Sequence, residues 1–149
     1  MRLPACRSSR AELTGGRFQE ILVDHMVPEA VRTLLLCSGK IYYELRAHQE
    51  QDGREDLALI RIEQLYPLRD ELLREALAPY RGAERLRWVQ EEPRNMGAWQ
   101  FLAPQLARVS GLTPEYVGRQ EMAAPAGGSH RWFKNEQEQI VSNAFAGND

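Results

Sequence analysis

The residues best suited to chemistry in this 149-residue chain lie in one stretch, Gln90-Glu91-Glu92-Pro93-Arg94-Asn95-Met96-Gly97-Ala98-Trp99. It follows the apolar run Leu86-Arg87-Trp88-Val89. That pattern predicts a strand stopping near Gln90, because Pro93 donates no ladder hydrogen bond and disfavours helical geometry at Glu92. Gly97 supplies the backbone freedom of a turn, and a helix is expected to start around Ala98. Such a turn sits at the carboxyl end of a strand, where open α/β sheets meet ligands and partners. Two carboxylates invite acid–base chemistry, yet neighbours on an extended segment point to opposite faces. Glu91 and Glu92 are therefore expected to pair with arginines rather than to share a substrate.

The second candidate is Ser38-Gly39-Lys40, a glycine turn after the apolar run Val31 to Cys37. Backbone N–H groups at such a helix start can cradle a phosphate. The nucleotide-binding loop also needs glycine upstream and a serine or threonine after the lysine. Here Leu34-Leu35-Leu36-Cys37 precede and Ile41 follows, so a plain helix-start turn is the favoured reading. Other chemistry is sparse. His25, His48 and His130 lie far apart with no second ligand at metal spacing, and no metal site is expected. No serine has a base in its sequence context; Ser129 beside His130, in a glycine-rich loop, comes nearest. Cys6 and Cys37 are too far apart for a clamp and read as free thiols of a reducing compartment.

These candidates need elements to hold them. Val31 to Cys37 reads as a strand buried on both faces, and Leu57-Ala58-Leu59-Ile60-Arg61-Ile62 as the next strand. Ile41, Tyr42, Leu45 and His48 recur at helical spacing between them, and that separation favours a parallel crossover over a hairpin. Asp70 is expected to cap a short helix burying Leu72, Leu73, Ala76 and Leu77. Leu86 to Val89 is the third strand. The following helix carries Trp99, Phe101, Leu102, Leu106 and Val109 on one side, and Pro104 either delays its start or kinks it. Tyr116 and Val117 mark a further strand, Met122 to Gly128 a loop, and about Lys134 to Phe145 a closing helix with Ile140, Val141, Ala144 and Phe145 inward. Residues 1–30 read as an arm, with a short strand around Phe18 to Val23, and residues 31–149 as one α/β domain. Its mainly parallel sheet of about four to five strands is flanked by helices on both faces.

A formal net charge of −2 gives no electrostatic case for nucleic acid or an anionic membrane. Lys40 and Lys134 are the only lysines; arginine, which forks onto carboxylates, supplies the other cations and suits an interface. No apolar run approaches the length of a membrane span, and no signal-peptide pattern opens the chain, so a soluble cytoplasmic protein is expected.

Several separated motifs, in order, resemble the carboxyl-terminal region of the 2-oxoglutarate dehydrogenase first component. They are Met1-Arg2-Leu3-Pro4 with Ser8-Ser9, Cys37-Ser38-Gly39-Lys40 with Tyr42-Tyr43, Arg61-Ile62-Glu63-Gln64-Leu65-Tyr66-Pro67, Gln90 to Trp99, and Gly118-Arg119 with Pro125. The 2-oxoadipate enzyme shares much of this pattern. The resemblance implies a transketolase C-terminal-like fold in a bacterial, cytoplasmic enzyme of the tricarboxylic acid cycle. The complete enzyme decarboxylates 2-oxoglutarate with thiamine diphosphate and magnesium and passes the succinyl group to lipoamide.

In that family the cofactors and catalytic histidines lie in upstream domains. The chain is accordingly expected to hold no cofactor and to be inactive alone. Its implied partners are the upstream domains of the same subunit, a second subunit in a homodimer, and the dihydrolipoyl succinyltransferase. Ser38, Gly39, Lys40, Glu91, Glu92, Arg94, Asn95, Gly97 and Trp99 are the implied interface and motif residues. Arg17 and Gln64 match positions of an allosteric acetyl-CoA site known in some members. Glu20 replaces a serine there and Glu71-Leu72 a pair of arginines, which opposes an anionic ligand. Phe133 stands where a histidine is usual, so no role of that histidine carries over. The alternative is a free-standing small-molecule or nucleotide-binding module built on Ser38-Gly39-Lys40.

Overall fold

The computed structural model describes residues 16–24, 26–124 and 130–147, with the side chains of 130 and 131 left aside. Cys6, His25, Pro125, Ser129 and the motif at residues 1–9 lie outside the described residues. The elements are β1 (Ile21–Val23), β2 (Thr33–Cys37), α1 (Ile41–Asp52), β3 (Leu57–Ile62), α2 (Asp70–Leu77), β4 (Arg85–Pro93), α3 (Trp99–Ser110), β5 (Pro114–Arg119) and α4 (His130–Phe145).

One five-stranded sheet has the order β1-β3-β2-β4-β5. β3, β2, β4 and β5 run parallel, and β1 is added antiparallel on β3, pairing Ile21 with Ile62 and Val23 with Ile60. The mainly parallel α/β domain expected from the alternating pattern is what forms. Every residue of β2 is buried, because it has a neighbour on each edge and helices over each face. Alternation along the strands divides the core. Leu34, Leu36, Ile60, Leu86 and Trp88 pack with Leu73 of α2 and with Leu102 and Leu106 of α3. Leu35, Cys37, Leu59 and Val89 face Ile41 and Leu45 of α1 and Ile140, Val141, Ala144 and Phe145 of α4. Cys37 is a free thiol, pushed up to about 12 by burial.

Five local expectations need correction. β4 does not stop near Gln90 but reaches Pro93. Between Val89↔Val117 and Pro93↔Arg119, four steps along β4 match two along β5, a bulge in which extra residues are accommodated and the missing Pro93 N–H disrupts no regular ladder. Asp70 is not a cap. Arg69 holds the cap position without a side-chain bond, and Asp70 is the first helical residue, its carboxylate accepting from Arg108 of α3 at 2.9 Å and through a second, shorter bond. The strand in the arm is shorter than Phe18 to Val23, and Phe18 is 68% exposed because it precedes the paired residues. α4 begins at His130, a turn before Lys134. Phe101, assigned to the apolar side of α3, is 44% exposed. Pro104 lies within α3, and both it and Gln100, whose carbonyl loses its helical donor there, are exposed.

Residues 20–24 and 26–31 are tied closely to the rest of the domain. The Tyr42 hydroxyl donates to the Asp24 carboxylate at 2.6 Å, Arg46 pairs with it at 2.9 Å, and the Tyr80 hydroxyl donates to the Asp24 carbonyl at 2.9 Å. Among the described residues no helix is long and apolar enough to cross a membrane.

Candidate functional site

The chain leaves β2 for α1 on one face of the sheet and leaves β4 for α3 on the other. Because β2 and β4 are neighbours, their loops diverge and open a crevice at the carboxyl ends of the strands, the switch point where α/β sheets take ligands. A crevice of about 670 Å³ lies there, lined by the Ser38-Gly39-Lys40 turn, by Gln90, Glu91, Glu92 and Gly97, and by Leu65, Tyr66, Trp88, Ala98 and Phe101. The two motifs singled out in the sequence are thus its opposite walls.

Gln90 organises one wall. It is only 3% exposed, and its carboxamide is fully engaged. The oxygen accepts from the Trp88 indole N–H at 2.8 Å and from the Trp99 backbone N–H at 3.1 Å. The nitrogen donates to the carbonyl of Met96 at 2.8 Å and to those of Glu92 and Pro93 at 3.2 Å. One side chain therefore pins the strand end, the turn and the start of α3. Gly97 is required beside it. Its φ is +65°, and a Cβ would lie 2.9 Å from the Gln90 amide nitrogen and 3.0 Å from the Glu92 Cβ. On the other wall Gly39, with φ +72°, turns the chain into α1.

Glu91 meets the Lys40 ammonium in an ion pair, not an arginine as expected. Lys40 projects from the turn before α1 toward the end of β4, the neighbour of β2, and so reaches the Glu91 carboxylate. Glu92 is exposed and forms no salt bridge among the described residues. Asn95 lies outside the crevice lining and closes the outer loop, donating to the Met122 carbonyl at 3.0 Å and accepting its N–H at 3.1 Å. Arg94 lies over Tyr116, 5.5 Å from the ring centre, and Trp99 packs against the same ring at 5.4 Å. These two are brought together on the β5 side of the loop rather than in the crevice.

Three contributors were missed in the sequence. Tyr66 is 80% exposed and meets Phe101 edge-on, ring centres 6.0 Å apart, across the mouth. Arg119, 7% exposed, donates to the Glu91 carbonyl, to Glu136 at 3.0 Å and to Gln137 at 3.3 Å, and covers the Phe133 ring at 4.3 Å. It belongs to the Gly118-Arg119 motif, but its partners on α4 are distant in sequence. The Tyr66 signal was available in Arg61 to Pro67; its exposure was not.

Gln64 does not itself line the groove of Arg17, but its backbone N–H donates at 3.2 Å to the carbonyl of Glu20, which does. Arg17 lines a groove with Phe18, Glu20, Arg69, Leu72 and Glu75. Gln64 donates to the Pro67 carbonyl at 3.0 Å, and Glu20 receives the fork of Arg69, one arm at 2.9 Å. Among the described residues no group of three or more His, Cys, Asp or Glu side chains could hold a metal ion. Among the described residues Lys40 is the only cation lining the crevice, and it is engaged by Glu91. The residues present therefore do not fit a magnesium-bound diphosphate.

The arrangement is that of transketolase-type α/β domains. An inactive β4 tetramer of a split-gene transketolase superposes over 86% of this chain and 41% of its own, with a TM-score of 0.59 at 16% identity, a likeness of fold. The model of the 2-oxoglutarate dehydrogenase C-terminal family matches residues 7–145, and the chain belongs to that family. It is 41% identical over 145 residues to the 2-oxoglutarate dehydrogenase E1 component of Azotobacter vinelandii, which covers 93% of this chain and 15% of the relative. The corresponding protein of Bacillus cereus strain AH820 is 39% identical over 97% of this chain and 16% of its own length. The chain thus spans about 15% of the length of the relatives it matches.

Proposed function

We propose that this domain is a supporting lobe of a 2-oxoglutarate dehydrogenase E1 subunit, packing on the domains that hold thiamine diphosphate and magnesium and strengthening a cytoplasmic homodimer. Residues 1–30 serve as the arm that joins it to those domains, and the dihydrolipoyl succinyltransferase accepts the product of the assembled enzyme. The observation that carries this reading is the switch-point crevice, where Gln90 is fully engaged and Lys40 pairs with Glu91, and whose mouth shows two large aromatic rings to solvent. Exposed rings of this kind at a structured edge mark a contact surface better than a reaction centre. Membership of the 2-oxoglutarate dehydrogenase C-terminal family supports the remainder of the reading. The nucleotide-binding alternative is disfavoured by the Lys40–Glu91 pair, which cancels the charge that an anion would need.

The test is complementation. An E1 subunit truncated before this domain is mixed with the 149-residue chain, and 2-oxoglutarate decarboxylation is followed with added thiamine diphosphate and magnesium. The chain alone is expected to give no turnover and to restore the truncated subunit. Turnover by the isolated chain, or full dimeric activity of the truncated subunit without it, would overturn the reading.

Acetyl-CoA is not expected to regulate through this domain. The Arg69 guanidinium that could meet a phosphate is committed to Glu20, and Glu75 adds a second carboxylate to the groove beside Arg17. Calorimetry on the intact enzyme should show no saturable heat assignable to this groove, whereas Glu20→Ser should create or strengthen one.

A further inference from the structure

The crevice has a definite polarity that its internal pairs do not consume. Lys40 and Glu91 neutralise each other, while Glu92 sits at the lining with its carboxylate exposed and unpaired among the described residues. The same crevice is lined by Tyr66 and Phe101, 80% and 44% exposed, their ring centres 6.0 Å apart, with the partly buried Leu65 beside them. A carboxylate and exposed aromatic rings lining one crevice are complementary to a cation on an apolar stem. Of the two cationic side chains, arginine fits better. Its planar guanidinium stacks on a ring while its edge forks onto a carboxylate, and it sheds water more readily than an ammonium.

We propose that the crevice at the ends of β2 and β4 receives an arginine-bearing protein segment, its guanidinium held by Glu92 against Tyr66 and Phe101. The site is built for a cation, so it does not bind phosphate-bearing ligands. The supporting-lobe reading enters only in the source of the segment, the large part of the E1 polypeptide that lies outside the span matched by this chain.

Isotope-labelled chain titrated with a blocked tripeptide, arginine between two leucines, is expected to show saturable amide shifts at Gly39, Glu92, Gly97 and Phe101. Replacing the arginine by citrulline, or introducing Glu92→Gln or Tyr66→Ala, should each weaken half-saturation by about threefold to tenfold. Absence of saturable shifts, equal response to the citrulline peptide, or shifts at the same amides with inorganic phosphate would overturn the proposal. Complementation separates the two readings. If the chain rescues truncated E1 but neither the peptide nor Glu92→Gln has any effect, the arginine site falls and the lobe stands. If the peptide binds as described and rescue fails, the site stands and the lobe falls.

Discussion

Replacing Gln90 by leucine is expected to lower the unfolding free energy by about 3 kcal/mol, and the melting temperature by about 10 °C. Leucine is of similar size, so packing around Trp88 changes little. What is lost is the partner of the buried indole N–H, of the Trp99 backbone N–H and of the Met96 carbonyl. Each orphaned group costs roughly 1–3 kcal/mol, while the added apolar contact returns about 1 kcal/mol. Urea unfolding followed by circular dichroism measures the total. Hydrogen exchange locates it: amides of residues 91–99 should exchange faster while those of β2 and β3 keep their protection. A loss under about 1 kcal/mol would mean that the turn does not depend on this carboxamide.

Arg119→Leu is expected to cost about 2–3 kcal/mol and to loosen α4 from the sheet. The side chain of Arg119 is 5% exposed and that of Glu136 19%, so the carboxylate left behind is only partly able to recover water. Removing one member of such a pair costs more than the pair was worth, because the remaining charge stays half-desolvated. The Glu91 carbonyl and the Phe133 ring lose their partner as well. A double-mutant cycle decides the cause. Arg119→Leu combined with Glu136→Leu should be less destabilising than the sum of the two changes. Strict additivity would assign the loss to packing alone.

The layered fold was legible because β2 and β3 are nearly continuous apolar runs with a helical period between them, a pattern that a doubly covered parallel sheet demands. The motif residues from Gln90 to Trp99 were legible as a turn, and the structure sets that turn opposite the Ser38-Gly39-Lys40 turn. What could not be read was pairing across distance. Glu91 meets Lys40 and Arg119 meets Glu136 only because the sheet order and the placement of α4 bring them together. Nor could Asp70 be distinguished from a cap, since a carboxylate at the start of a helix is favourable one residue further in as well. The strand end was misjudged for a related reason: proline forbids a regular ladder, but a bulge is irregular.

The two margins of the sheet differ from its centre in a way that bears on assembly. β1 is three residues long, and β5 begins with Pro114 and is kinked against β4 at the bulge. Among the described residues neither border presents the long, flat row of free amides on which a foreign strand is readily templated. Growth by strand addition between molecules is therefore disfavoured at both margins among the described residues, which favours association through side chains on the helical faces or at the strand tips. Such contacts can be tuned one residue at a time without risking runaway fibril formation.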